Sequence, residues 1–292
     1  MVVKNLTLLE VSKLLDVHYM TVYRYVREGM LPAVRVDRGW QVDKAVLKEF
    51  QLAKKSSGKG ESKARHGGRD SADWVDRIVG RLIDGDEVGS ANILNSALRS
   101  GHDLQFIYVD ILIPALVIIG DQWESGKIDI YVEHRSSEIV FRLIVQLSLK
   151  FKRRGLDRGT VVVGAPKGEL HSLTIAMITH LLRYEGWNVS NLGADLPADE
   201  FGKAVKNLQN VVGVCVVATM SSSLFEAAKS ISAVRKVSKS NGHKSAKPTV
   251  KCFVGGSAIR SDDHAQELGA DKWVKGPREL IVALDSVLIR AS

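Results

Sequence analysis

Between residues 160 and 290 the chain alternates short apolar runs with longer amphipathic ones. TVVVGA (160–165), WNVSNLG (187–193), VVGVCVVATMS (211–221), TVKCFVGGSA (249–258) and ADKWVKG (270–276) have the length and composition of strands. HSLTIAMITHLLRYEG, PADEFGKAVKNL, SLFEAAKSISAVRKV, SDDHAQELG and PRELIVALDSVLIRA fall after them in turn, with apolar residues at helical spacing. Strands that are apolar on both faces, each followed by a helix, belong in a parallel sheet covered on both sides. The pattern predicts a Rossmann-like α/β domain over residues 156–292, with a doubly wound parallel five-stranded sheet.

Such sheets bind ligands beyond the carboxyl ends of their strands. The segment GELHSLT (168–174) stands there, after the first strand. His171 is therefore expected in a binding crevice rather than in the core.

Upstream, residues 71–155 read as four helices with glycine at each exit: SADWVDRIVGRLIDG, DEVGSANILNSALRSG, HDLQFIYVDILIPALVIIGDQWESG and KIDIYVEHRSSEIVFRLIVQLSLKFKRRG. Short loops imply antiparallel neighbours, hence a four-helix bundle. The most apolar stretch, FIYVDILIPALVIIG (106–120), is short for a bilayer span and carries Asp110 and Pro114. It is expected to be a buried bundle helix, kinked or restarted at Pro114. His102, His243 and His264 read as surface residues.

Charge singles out the amino terminus. Residues 1–70 hold 14 Lys/Arg against 8 Asp/Glu, so they carry +6 of the net +8. A small basic unit on a near-neutral body points to nucleic acid. Thr7 and Glu10 form a capping box ahead of a helix with Leu8, Val11, Leu14 and Leu15 on its apolar face. A second short helix is expected over 19–28, with Val22, Tyr25 and Val26 inward and Gly29 ending it. AVRVDRGWQV alternates and turns at Asp37–Gly39 as a hairpin, and DKAVLKEF closes the unit as a helix. Two short helices, a wing and a helix make a winged helix-turn-helix over residues 1–52. Its second helix would enter the major groove, with Tyr19, Met20, Thr21, Tyr23, Arg24 and Arg27 presented to DNA and Arg35 and Arg38 gripping from the wing. Residues 53–70 are Gly/Ser/Lys-rich and read as a flexible basic linker. One such head holds DNA weakly, so a homo-oligomer, a dimer or tetramer, is expected on a double-stranded operator.

The head resembles the excisionase and MerR group of DNA-binding domains. Residues 71–292, a four-helix bundle followed by a Rossmann-like domain with Glu-x-His after its first strand, resemble the cobalamin-binding module of methionine synthase and the corrinoid proteins. That resemblance implies that His171 takes the place below cobalt, with Glu169 at the carboxylate position and Thr174 where glycine is usual. GADLP (193–197) and VGG (254–256) also match family positions, and Gly255 and Gly256 would let backbone approach a buried nucleotide tail. Trp123, followed after nine residues by Glu133-His134, resembles the signature of the CarH/LitR photoreceptors. There the tryptophan and glutamate make room for a 5′-deoxyadenosyl group on the upper face.

The resemblance implies a light-responsive transcription regulator, a repressor, binding adenosylcobalamin between bundle and Rossmann-like domain. It departs from the family at three points. Glu124 stands where the photoreceptors often carry a cobalt-capturing histidine. Val217-Ala218-Thr219 replaces Ser-x-Leu, with Thr219, Ser221 and Ser223 left to serve the tail pocket. Thr174 replaces glycine. These departures leave open a different corrinoid or another tetrapyrrole, haem or bilin, and a methyl-carrier role in a methyltransferase system is the alternative from another class. Cys215 and Cys252 lie in apolar runs without metal-type spacing, and MVVKNLTLLE is no secretory signal, so a cytoplasmic protein with no membrane partner is expected. The DNA-binding head and the regulator resemblance imply no enzymatic activity. Arg24→Ala is expected to weaken operator binding by about 1–3 kcal/mol in a gel-shift titration.

Overall fold

The computed structural model describes residues 5–15, 17, 22, 25–26, 30–36, 39–56, 67–150, 158–241 and 250–289. The chain forms two compact units, Met1–Val140 and Phe141–Ser292. The boundary falls inside a long helix rather than at residue 155, where the sequence pattern changes.

The head opens with strand β1 (Leu6–Thr7) and helix α1 (Leu8–Leu15), followed by β2 (Val34–Val36), β3 (Gly39–Val42) and helix α2 (Lys44–Ser56). The expected hairpin gains a third strand, in the order β1-β3-β2. The capping box forms: Glu10 Oε2 accepts from the Thr7 amide at 2.8 Å, and Thr7 Oγ accepts from the Glu10 amide at 3.3 Å. Leu8, Val11, Val22, Val26, Leu31, Val42 and Leu47 make one buried cluster, with Tyr25 and Trp40 packed on it. Leu14, expected inward, is 56% exposed. Of the expected DNA-contacting residues, Arg35 lies in β2, while Tyr19, Met20, Thr21, Tyr23, Arg24, Arg27 and Arg38 lie outside the described residues.

The expected linker is shorter than composition suggested. Helix α2 runs on to Ser56, and helix α3 (Gly67–Asp84) begins four residues early. It is followed by α4 (Glu87–Arg99), α5 (Leu104–Glu124) and α6 (Ile130–Lys150). Gly85, Gly101 and Gly126 take left-handed φ values of 77°, 90° and 73° at the three exits. Asp86 and Asp103 cap α4 and α5 by accepting from the Gly89 and Phe106 amides, each at 2.7 Å. Helix α6 is stitched to the end of α3: Arg135 donates to the Ile83 carbonyl at 2.6 Å and Ser136 to the Leu82 carbonyl at 3.0 Å.

Helix α5 is long and apolar enough to cross a membrane by composition alone. Its Leu104, Ile107, Tyr108, Ile111, Leu112, Ala115 and Ile119 are nevertheless buried in the protein. As expected, α-helical geometry restarts at Pro114, which sits in the first turn of the α-helical stretch Ile113–Glu124, while the helical run stays continuous. Residues Ile107–Leu112 form a π-helical turn, with the Ile113 amide bonding the Tyr108 carbonyl. Widening the preceding turn makes room for a ring that would otherwise meet a carbonyl one turn back. His102 is half-buried and stacks on Phe106 with ring centroids 3.8 Å apart. His264 is half-buried with its Nδ1 shielded from solvent, and His243 lies outside the described residues.

The second unit carries five parallel strands, β4 (Thr160–Gly164), β5 (Asn188–Asn191), β6 (Val211–Val217), β7 (Lys251–Gly255) and β8 (Lys272–Val274), in the order β5-β4-β6-β7-β8. Between them run α7 (Ser172–Tyr184), α8 (Ala198–Asn207), α9 (Leu224–Asn241) and α10 (Asp262–Glu267), and α11 (Pro277–Ile289) closes the chain. Val161 and Val163 point into one core layer and Val162 into the other, so the sheet is buried on both faces. Cys215 and Cys252 fall in opposite layers, both as free thiols. From β4 the chain steps to β5 on one side and later returns to β6 on the other. That topological switch places a crevice at the carboxyl ends of β4 and β6.

Candidate corrinoid site

The loop after β4 turns back on itself before α7, and the next βα connection, after β5, holds it. The Ala165 amide donates to the Gly193 carbonyl at 2.9 Å and the Leu196 amide to the Ala165 carbonyl at 3.1 Å. Asp195, at a left-handed φ of 57°, accepts from the Gly168 amide at 2.7 Å and donates its own amide to the Glu169 carbonyl at 2.9 Å. The bonds across both segments sustain a conformation that costs a residue with a Cβ.

Glu169 itself is fully buried. Its Oε1 bonds His171 Nδ1 and accepts from the Thr219 hydroxyl at 2.9 Å. Its Oε2 accepts from the Thr219 amide at 2.6 Å and the Met220 amide at 2.9 Å, and the Ser223 hydroxyl lies 3.3 Å away. Burial alone would push this carboxyl up. The bonds from His171, the Met220 and Thr219 amides and the Thr219 hydroxyl outweigh burial and hold it at about 2. Glu169 is therefore an anion at all physiological pH values.

That anion sets the chemistry of His171, which caps the start of α7 and keeps a 58% exposed side chain. With Nδ1–H directed at the carboxylate, the lone pair resides on Nε2. Leu170 beside it is 71% exposed and Met220 is 43% exposed. An imidazole donor flanked by uncovered apolar side chains fits the apolar edge of a metallated macrocycle.

Thr219 and Ser223, assigned from sequence to a tail pocket, bond within the loop after β6: the Thr219 hydroxyl donates to Glu169 and the Ser223 hydroxyl to the Met220 carbonyl at 2.8 Å. Thr219 Oγ also lies 2.8 Å from His171 Nδ1. Ser221 is exposed in a short 3-10 turn, and Thr174 is half-buried in α7. The glycines answer to the chain's own backbone: a Cβ on Gly256, at φ 112°, would sit 2.1 Å from the Ala218 carbonyl oxygen, and one on Gly255 would sit 2.9 Å from that of Val274. Sequence reasoning missed the Met220 amide, which leaves no side-chain signal, and Asp195, which lay inside a motif already singled out.

In the helical unit, Trp123 stands at the end of α5 with 41% of its surface exposed. Glu133 follows in the first turn of α6, with Oε1 accepting from Ser137 at 2.8 Å and Oε2 lying 2.6 Å from His134 Nδ1. Near Trp123, burial and then the charge of Glu124 push Asp121 up to about 7, a feature the sequence did not announce.

Residues 6–55 match a helix-turn-helix domain family, and residues 74–147 and 159–284 match two B12 binding domain families. This order of parts supports a B12-binding regulator with a DNA-binding head, and the chain is similar to proteins of two kinds. It is 29% identical to the HTH-type transcriptional repressor CarH of Myxococcus xanthus over 154 residues, 52% of this chain and 50% of that protein. A corrinoid protein of Desulfitobacterium hafniense (strain Y51) is 22% identical over 219 residues, 73% of this chain and 97% of that one. The structure of Methanosarcina barkeri monomethylamine corrinoid protein has the same fold, with a TM-score of 0.61 at 20% identity over 73% of this chain and 98% of that one.

A carboxyl held below its unfolded value of about 4.5 contributes stability above that pH, and the contribution fades as pH falls toward about 2. Glu169→Gln is expected to lose on the order of 3 kcal/mol at neutral pH. In urea unfolding at a series of pH values, the gap between wild type and Glu169→Gln should close between about pH 4.5 and 2. A gap that is independent of pH would contradict the assignment.

Proposed function

We propose that this chain is a light-responsive transcriptional repressor that binds adenosylcobalamin and couples the state of that ligand to its oligomeric state and its grip on DNA. The observation that carries the reading is the Glu169–His171 dyad at the switch point of the sheet, in a chain that also carries a helix-turn-helix head.

In this reading His171 is the lower metal ligand. Its Nε2 presents the lone pair, Glu169 holds the proton on Nδ1, and Thr219 keeps both groups in register. Leu170 and Met220 cover apolar ring edge. Trp123 would supply an aromatic face for the cofactor's adenosyl group, Glu133 would accept hydrogen bonds from its hydroxyls, and His134 would support Glu133. When bound, adenosylcobalamin supplies a cobalt–carbon bond that light can break. The helical residues that pack on the upper group then differ in affinity between the two ligand states, which any such switch requires. Two heads held in one dimer or tetramer grip DNA through effective concentration, and separated heads release it. The protein works in the cytoplasm and catalyses no reaction.

The similarity of residues in both B12-binding segments to methylamine corrinoid proteins supports a second reading, a methyl carrier. The DNA-binding head weighs against it, and a methyl-transfer assay with the purified chain separates the two.

The full-length protein, loaded in the dark, should show a corrinoid spectrum that changes on illumination together with loss of operator binding. His171→Ala should weaken corrinoid retention at least about tenfold in equilibrium dialysis. A haem or bilin spectrum, or light-insensitive DNA binding with adenosylcobalamin bound, would contradict the proposal.

A further inference from the structure

A left-handed backbone is strained for a residue with a Cβ and free for glycine. Asp195, in the connection after β5, nevertheless stands at φ 57°. Its Oδ1 accepts from the Gly168 amide at 2.7 Å, and its own amide donates to the Glu169 carbonyl at 2.9 Å. Glycine in this turn would keep the second bond and lose the first. Asp195 is exposed, so the net worth of one charge-assisted bond there is of the same order as the cost of the turn. Stability therefore does not explain an aspartate where glycine would serve. What the side chain adds is an acceptor in one particular place.

That place is the segment leading to His171. Asp195 takes the Gly168 amide and the Glu169 carbonyl, and the Pro166 carbonyl takes the Glu169 amide at 3.0 Å. Pro166 in turn pairs with Leu196, the residue after Asp195, in a parallel bridge. The backbone on both sides of Glu169 is thus fastened to the β5 connection. Its carboxylate is fastened to the β6 connection through the Thr219 and Met220 amides, and it bonds His171 Nδ1. Asp195 holds the backbone of Glu169, and Glu169 holds the ring.

We infer that Asp195 is a positioning residue of the corrinoid site: its turn and its side-chain acceptor hold Glu169 so that His171 keeps the proton on Nδ1 and the lone pair on Nε2. The inference rests on the corrinoid reading for its bearing on ligand binding, and on the loop geometry alone for its effect on the ring.

Two variants separate the acceptor from the turn. Asp195→Gly keeps the turn at no steric cost and removes the acceptor. Asp195→Asn keeps an acceptor on a residue that tolerates the turn. Three measurements are made on each purified full-length chain: urea unfolding, 15N NMR of the His171 ring without ligand, and equilibrium dialysis of adenosylcobalamin in the dark. The ring signals are taken at about pH 9, where an imidazole is neutral, and assigned by their absence in His171→Ala. Asp195→Gly is expected to unfold at the urea concentration of the wild type, yet to shift the ring toward the Nε2–H form. Its Kd for adenosylcobalamin should rise about fivefold, less than the tenfold or more expected for a direct partner of the ligating ring. Asp195→Asn should restore the wild-type ring signals and affinity. Wild-type ring signals in Asp195→Gly overturn the inference, as does a shifted ring with unchanged affinity, or an Asp195→Asn chain as impaired as Asp195→Gly. If no chain binds adenosylcobalamin, wild type included, the corrinoid reading falls, and the ring signals still decide whether Asp195 positions His171.

Discussion

A buried carboxylate is expensive unless every lone pair it loses to water is met by a donor. Glu169 meets that condition with donors from two connections, the one after β4 and the one after β6. The two loops that border the switch point are therefore tied through one side chain. Because the same carboxylate takes His171 Nδ1, the bond network that closes the sheet edge also decides which imidazole nitrogen presents a lone pair. Fold stability and ligand chemistry share one interaction, and neither can be altered alone.

The rest of the second unit serves this arrangement. A parallel sheet buried on both faces fixes the ends of β4 and β6, and the Asp195 turn after β5 fixes the loop between them. In the first unit the bundle is held by capped helix starts and by side chains of α6 that satisfy carbonyls at the end of α3. The head is a small separate core of apolar residues closed by a three-stranded sheet. An exposed imidazole oriented by a buried carboxylate, an aromatic and a carboxylate on successive helices, and a helix-turn-helix head are the three features on which the proposed regulator rests.

The sheet was legible because its strands are apolar on both faces, a pattern that few other structures produce. His171 was legible because a histidine after such a strand has no packing reason to be there. The partners of Glu169 were not. Thr219 and Ser223 read as free hydroxyls on the way to a tail pocket, because composition shows that a group can donate but not to what. The Met220 contribution is a backbone amide and has no sequence signature at all. At the linker, glycine, serine and lysine predicted coil, yet helices α2 and α3 extend into it from both sides. Propensity is a weak prior when a helix is already nucleated by packed residues next door. The restart at Pro114 was legible, whereas the π-helical turn that precedes it within the same helical run was not.

The central claim is that a protein imidazole, oriented by Glu169, is the nitrogen beneath the metal. Electron paramagnetic resonance of the Co(II) corrinoid bound to protein grown with 15N-histidine tests it directly. Splitting of the cobalt lines into doublets by one 15N nucleus is the expected result. Triplets unchanged by the label would show that the corrinoid keeps its own base, and would contradict the account.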